Sequence, residues 1–170
     1  MNLANRITIS RIVLVPLFVA ALLYYTPDRP NLHLAALLLY VLACASDALD
    51  GYIARKRNET TELGSYIDPI ADKLLLLSGF LSLSMMSHLP QEMHMPAWVT
   101  IAVISRDVMI VIGSAVLFRM TGRLKPQPLW AGKVTTVVQM AALLAAIVMA
   151  PAGFRTAVDA AAVGFTVWSG

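Results

Sequence analysis

The residues with the clearest capacity for chemistry are four aspartates, Asp47, Asp50, Asp68 and Asp72, in the segment SDALDGYIARKRNETTELGSYIDPIADKLLLL, in and between two hydrophobic runs. A carboxylate at membrane depth costs about 2.5–3.5 kcal/mol by insertion scales, so four of them call for a compensating interaction on the order of 10 kcal/mol. Divalent metal supplies it most directly. Mg²⁺ prefers carboxylate and water oxygens and Mn²⁺ suits the same donors. Two divalent ions balance four carboxylates, and paired metals about 3.5–4 Å apart are a recurring device for displacement at phosphorus. Without metal, neighbouring carboxylates disfavour one another's charged form and take up protons instead. Two divalent cations, Mg²⁺ or Mn²⁺, are therefore the expected cofactors, with Asp47, Asp50, Asp68 and Asp72 as their ligands.

Residues three and four apart share a helix face, so Asp47 aligns with Asp50 and Asp68 with Asp72. Two antiparallel helices joined by a hairpin over 55–65 would bring the two faces together near one membrane surface. Gly51, Ala54 and Gly64 supply the small residues that a bulky ligand needs to approach the backbone. With Ala48 they equally suit close packing of membrane helices. Arg55, next after Ala54, has the charge to neutralise a diphosphate, or to anchor the span's end in the membrane interface. Pro69 has no backbone N–H: it either deprives the Ser65 carbonyl of its helical partner or marks a first helical turn, where proline is tolerated.

The elements that must position these groups are legible from composition. The chain has 170 residues, of which 58% are hydrophobic and only 14% charged, against about 25% charged in ordinary soluble domains. Apolar stretches at about 9–25, 33–54, 66–87, 97–118, 130–150 and 153–169 each have the length of a bilayer-spanning helix. The expected fold is an all-α polytopic membrane protein, a bundle of six transmembrane helices forming one domain over 1–170. The last stretch carries Arg155 and Asp159 and reaches Gly170 without a polar anchor, as expected of a final helix cut short.

Arg6, Arg11, Arg55, Lys56, Arg57, Arg119, Arg123, Lys125 and Lys133 would share one side of the membrane, with Arg29 and Arg155 opposite. By the positive-inside rule both termini and the acidic cluster are cytoplasmic. The net charge of +3 then reflects topology and attraction to anionic lipid, not binding of nucleic acid. Cys44 is the only cysteine, which leaves no internal disulfide and no cysteine metal cluster; in an apolar helix it reads as a small core residue. His33, His88 and His94 fall in or beside the opposite loops and are not expected as ligands. A cation transporter is the competing class, since intramembrane acids mark ion paths. It explains neither the spacing of Gly51, Ala54, Arg55 and Gly64 nor the crowding of the acids toward one membrane face.

Taken in order, Asp47-x2-Asp50-Gly51-x2-Ala54-Arg55-x8-Gly64-x3-Asp68-x3-Asp72 is similar to the signature of the CDP-alcohol phosphotransferase family. The polar lead-in Asn2-Leu-Ala-Asn-Arg-Ile-Thr-Ile-Ser-Arg11 resembles that of the phosphatidylglycerophosphate-forming branch. The resemblance implies a six-helix fold, usually dimeric, whose site opens at the cytoplasmic interface of a bacterial inner membrane or its organellar equivalent. CDP-diacylglycerol is the implied donor, a hydroxyl compound the acceptor, and CMP the leaving group.

Carried over residue by residue, Asp47, Asp50, Asp68 and Asp72 resemble the metal-binding aspartates, and Asp72 the general base. Gly51, Ala54, Arg55, Gly64 and Ser65 are similar to nucleotide-facing positions, with Asn5 and Thr8 closing the cytidine side. Arg106, Arg123, Lys125 and Lys133 are the cations available for an anionic acceptor. That acceptor is expected to be sn-glycerol 3-phosphate. The alternative is phosphatidylglycerol, because Ile104-Ser-Arg-Asp-Val-Met109, Arg123-Leu-Lys-Pro126 and Gly132-Lys133-Val-Thr resemble the cardiolipin-forming branch. Arg106-Asp107 reads either as an ion pair holding helices together or as part of the acceptor site.

Overall fold

The computed structural model describes the backbone at 3–57, 62–121 and 130–169, and side chains at 12–46, 71–113, 116, 119–120, 130 and 132–169. Among the described residues the fold is entirely helical: α1 (Leu3–Leu23), α2 (Pro30–Arg57), α3 (Glu62–Met85), α4 (Ala97–Thr121), α5 (Trp130–Ile147) and α6 (Ala152–Ser169). Each helix falls on one of the six expected apolar stretches, and the breaks fall at the proline-bearing turns around Pro27–Pro30 and Pro90–Pro96. The chain forms two compact units, 1–93 and 94–170.

In the first unit, α1 packs against both α2 and α3. Phe18 and Leu22 on α1 with Tyr25 just past its end, Ala36, Tyr40 and Ala43 on α2, and Leu76, Phe80 and Leu83 on α3 are all buried. Each set recurs at i, i+4 and i+7, the stripe that one helix face presents to its neighbour. The Phe18 and Tyr40 rings meet with centroids 5.6 Å apart, and His88 Nε2 lies 3.0 Å from the Leu22 carbonyl, tying the α3–α4 connection back to the end of α1.

In the second unit, α5 and α4 both pack on α6. Its interior is more polar: Thr135, Gln139, Asp159 and Thr166 are buried beside Leu143, Ala146 and Ala162. The turn from α5 to α6 is a Schellman cap, with the Ala150 N–H donating to the Ala145 carbonyl at 2.9 Å and the Met149 N–H to that of Ala146 at 3.0 Å. Met149 takes the left-handed conformation this motif requires, φ 55°, without being glycine. Pro151 follows and bars the helix from continuing.

No helix among the described residues is long and apolar enough to cross a membrane. Their outward faces are nonetheless apolar. Val13, Leu17, Leu34, Leu38 and Leu42 in the first unit, and Ile101, Met109, Val111, Val137 and Val167 in the second, are exposed. Helices apolar on the outer as well as the inner face are those of a large core or of a membrane.

Candidate functional site

The acidic signature lies on both sides of the α2–α3 connection. Asp47 and Asp50 sit on the last turns of α2, and Asp68 and Asp72 on the early turns of α3. At 1.5 Å of rise per residue, Asp50 and Asp68 are each about 10 Å along their helices from the ends that flank the connection, and Asp47 and Asp72 each about 15 Å. Counted along the two helices, the four aspartates thus fall at two matching distances from that connection. Pro69 lies well inside α3, so the first-turn reading is replaced by the other: the Ser65 carbonyl has no i+4 N–H to accept from.

Of these four side chains, Asp72 alone is among the described residues. It is half-buried, next to fully buried Ala71 and one turn from buried Leu75 and Leu76. The side chains of Asp47, Asp50, Gly51, Ala54, Arg55, Gly64, Ser65, Asp68, Asn5 and Thr8 lie outside the described residues, although all ten positions fall on helices α1 to α3. No group of three or more His, Cys, Asp or Glu able to hold a metal occurs among the described residues. The donor set itself, four carboxylates at i, i+3 and i, i+4 on successive helices, has the chemistry of a hard-cation site.

Arg106, the central acceptor candidate, belongs to the second unit. Its Nη1 donates to Asp107 Oδ1 at 3.0 Å, with the two side chains 12% and 22% exposed. Both residues belong to α4, so the Arg106–Asp107 contact itself lies within one helix. The inter-helix link is another one: Nη2 donates to Ser169 Oγ at 2.9 Å and reaches its carbonyl at 3.5 Å. Nε is buried without a hydrogen-bond partner. A Cβ built at Gly132, at the start of α5, would stand 3.8 Å from Nη2, so the guanidinium lies against the α5 backbone one residue before Lys133. The Lys133 ammonium stands 5.7 Å from the Trp130 ring centroid, within cation–π range. Arg123 and Lys125 lie outside the described residues.

A polar ladder between α5 and α6 adjoins the Arg106 contact with Ser169. Thr135 Oγ1 is 2.9 Å from Ser169 Oγ and 3.1 Å from the Phe165 carbonyl. One turn along, Gln139 Nε2 donates to Thr166 Oγ1 at 3.0 Å, and Thr166 donates to the Ala162 carbonyl at 2.6 Å. The sequence carries a trace of it: Thr135 and Gln139 are spaced i, i+4, and Thr166 and Ser169 i, i+3, on largely apolar helices. Such spacing places polar side chains on one face.

A family model described as CDP-alcohol phosphatidyltransferase matches residues 1–168. Among curated proteins, a Mycobacterium tuberculosis protein named probable phosphatidylglycerophosphate synthase is 35% identical over 142 residues, covering 84% of this chain and 64% of that protein. The chain thus spans just under two thirds of that relative's length. Two proteins named CDP-diacylglycerol–glycerol-3-phosphate 3-phosphatidyltransferase are also similar. The one from Bacillus subtilis is 35% identical, covering 73% of this chain and 70% of that protein. The one from Pseudomonas fluorescens is 34% identical, covering 99% and 86%.

Proposed function

The chain belongs to the CDP-alcohol phosphatidyltransferase family, and from that premise we propose that it transfers the phosphatidyl group of CDP-diacylglycerol to a hydroxyl of sn-glycerol 3-phosphate, releasing CMP. The observation that carries the reading is the acidic signature itself, four aspartates at i, i+3 on the end of α2 and i, i+4 on the start of α3, at matching distances along the helices from their connection. Glycerol 3-phosphate is taken as acceptor over phosphatidylglycerol because that substrate stands in the names of the Bacillus and Pseudomonas relatives.

In the transfer, an oxygen of the acceptor hydroxyl bonds to the phosphatidyl phosphorus and the bond from that phosphorus to the CMP oxygen breaks. The hydroxyl proton passes to Asp72, which must lie within hydrogen-bond reach of that hydroxyl. Asp47, Asp50, Asp68 and Asp72 would hold the divalent cations, which when bound would neutralise the diphosphate charge. Gly51, Ala54 and Gly64 leave room for the nucleotide, Arg55 and Ser65 face its phosphates, and Asn5 and Thr8 close the cytidine side. Arg106, Arg123, Lys125 and Lys133 bind the acceptor's phosphate. The buried Nε of Arg106, lacking a partner, forms with the adjacent Nη–H the planar edge that suits bidentate recognition of an anion.

The helices lie in a bilayer, as a homodimer of one membrane domain, with the site at the cytoplasmic interface. The apolar outer faces of both units support this placement, since carboxylates on such helices need the partners named above.

The test is purified protein with radiolabelled CDP-diacylglycerol and Mg²⁺ or Mn²⁺, offered glycerol 3-phosphate, phosphatidylglycerol or inositol phosphate in parallel. CMP release with glycerol 3-phosphate, lost on chelation and restored by either metal, is expected. Release with none of the acceptors, under conditions where a known family enzyme turns over, overturns the transferase reading.

A further inference from the structure

We infer that Ser169 and Thr135 are positioning residues that fix the Arg106 guanidinium for the phosphate of the acceptor, an inference resting on the acceptor role proposed for Arg106. An arginine side chain has several freely rotating bonds, and its use in bidentate recognition depends on holding the planar fork in one orientation. Two corners of this fork are held. Asp107 takes Nη1 at 3.0 Å from within α4, and Ser169 Oγ takes Nη2 at 2.9 Å from α6.

Ser169 is oriented in turn. One assignment uses each hydroxyl proton once: Arg106 Nη2–H to Ser169 Oγ, the Thr135 hydroxyl to the same Ser169 Oγ at 2.9 Å, and the Ser169 hydroxyl to the Thr166 carbonyl at 3.4 Å, while Thr135 Oγ1 also lies 3.1 Å from the Phe165 carbonyl. Thr135 is fully buried, so its rotamer is fixed by packing as well as by these bonds. The relay ends on a backbone carbonyl of α6, a group that cannot turn away.

A latch serving stability alone has no use for an unmatched donor. Buried polar groups are ordinarily paired, above all when charged. Here the relay and Asp107 occupy the two outer nitrogens, while Nε stays buried and unmatched. The fork is thus steadied at both outer nitrogens, and its buried Nε–H is the donor that an entering anion would satisfy. Valine at 135 keeps the shape of threonine and removes the hydroxyl on which Ser169 depends; serine keeps the hydroxyl and loses only a methyl.

The test measures steady-state kinetics of the full chain in lipid nanodiscs, titrating glycerol 3-phosphate and CDP-diacylglycerol separately, for Arg106→Lys, Thr135→Val, Thr135→Ser and Ser169→Ala. Thr135→Val and Ser169→Ala are each expected to raise the glycerol 3-phosphate KM about fivefold, with kcat and the CDP-diacylglycerol KM within about twofold. Thr135→Ser is expected to stay near the parent value. Ser169→Ala added to Arg106→Lys should weaken acceptor binding little further, because the relay then has no fork to hold.

If Arg106→Lys raises the acceptor KM while Thr135→Val and Ser169→Ala leave it unchanged, the positioning role is overturned and the acceptor assignment survives. If Arg106→Lys also leaves it unchanged, both fall. Equal losses toward donor and acceptor, with a lowered thermal midpoint and no rescue by Thr135→Ser, make the relay structural and overturn the inference. Ser169→Ala reads the same relay from the end of α6 should Thr135→Val fail to fold.

Discussion

Asp72 is the position at which chemistry and sequence spacing meet most closely. It is the last aspartate of the signature, one turn after Asp68 on α3, half-buried at the edge of that helix's apolar stripe. A residue acting mainly as base predicts a specific division of effects. Asp72→Asn should cut turnover by about 10²–10⁴-fold, read as CMP release, while metal-dependent binding of CDP-diacylglycerol is largely retained. Equal loss of binding makes Asp72 chiefly a metal ligand. At the acceptor side, Lys133→Ala and Arg123→Ala should raise the glycerol 3-phosphate KM more than the CDP-diacylglycerol KM; the reverse ranking in the same titrations removes them from that site. At this scale the aspartates and the single cations were legible because charge in an apolar run is anomalous by itself. Ser169, Thr135, Gln139 and Thr166 were not singled out, because hydroxyl and amide residues are common in membrane helices and their pairing depends on which helices meet.

All six helices were readable as elements, because apolar length and proline punctuation are local properties. Their ends were less so: α2 and α3 run to Arg57 and back to Glu62, beyond the expected apolar stretches, since polar residues at a helix end remain helical where hydrogen bonds allow. That extension puts Pro69 inside α3. The α5–α6 turn offers a test of local strain. Met149 holds φ 55° inside a cap that favours glycine, and left-handed conformation costs an L-residue about 1–2 kcal/mol. After allowing for the extra freedom of glycine in the unfolded chain, Met149→Gly should stabilise the protein by up to about 1 kcal/mol. Its thermal midpoint in detergent should rise, and that of Met149→Val, β-branched at the same φ, should fall.

For the whole molecule, the decisive quantity is the placement of apolar surface and of positive charge. The exposed apolar faces of both units and the clustering of Lys and Arg in alternate connections predict one orientation in the bilayer. In a Cys44→Ala background, Gln91→Cys should react with a membrane-impermeant maleimide added outside intact cells. Gln127→Cys should react only after permeabilisation. Labelling of both from outside, or the opposite pattern, removes the cytoplasmic assignment of the site. Chain contacts divide the molecule into units of three helices, 1–93 and 94–170, with the acidic signature in the first and Arg106 and Lys133 in the second.

By itself the sequence determined the helical class, the six elements, the acidic signature and the family that it resembles, because each rests on spacing along one chain. Only the tertiary structure decided how Arg106 is held. Whether its nitrogens meet an adjacent carboxylate, a serine 63 positions away or, as at the buried Nε, no partner in the chain depends on how α4, α5 and α6 pack. Hydrogen bonds made across helices leave no fixed period in the sequence that forms them.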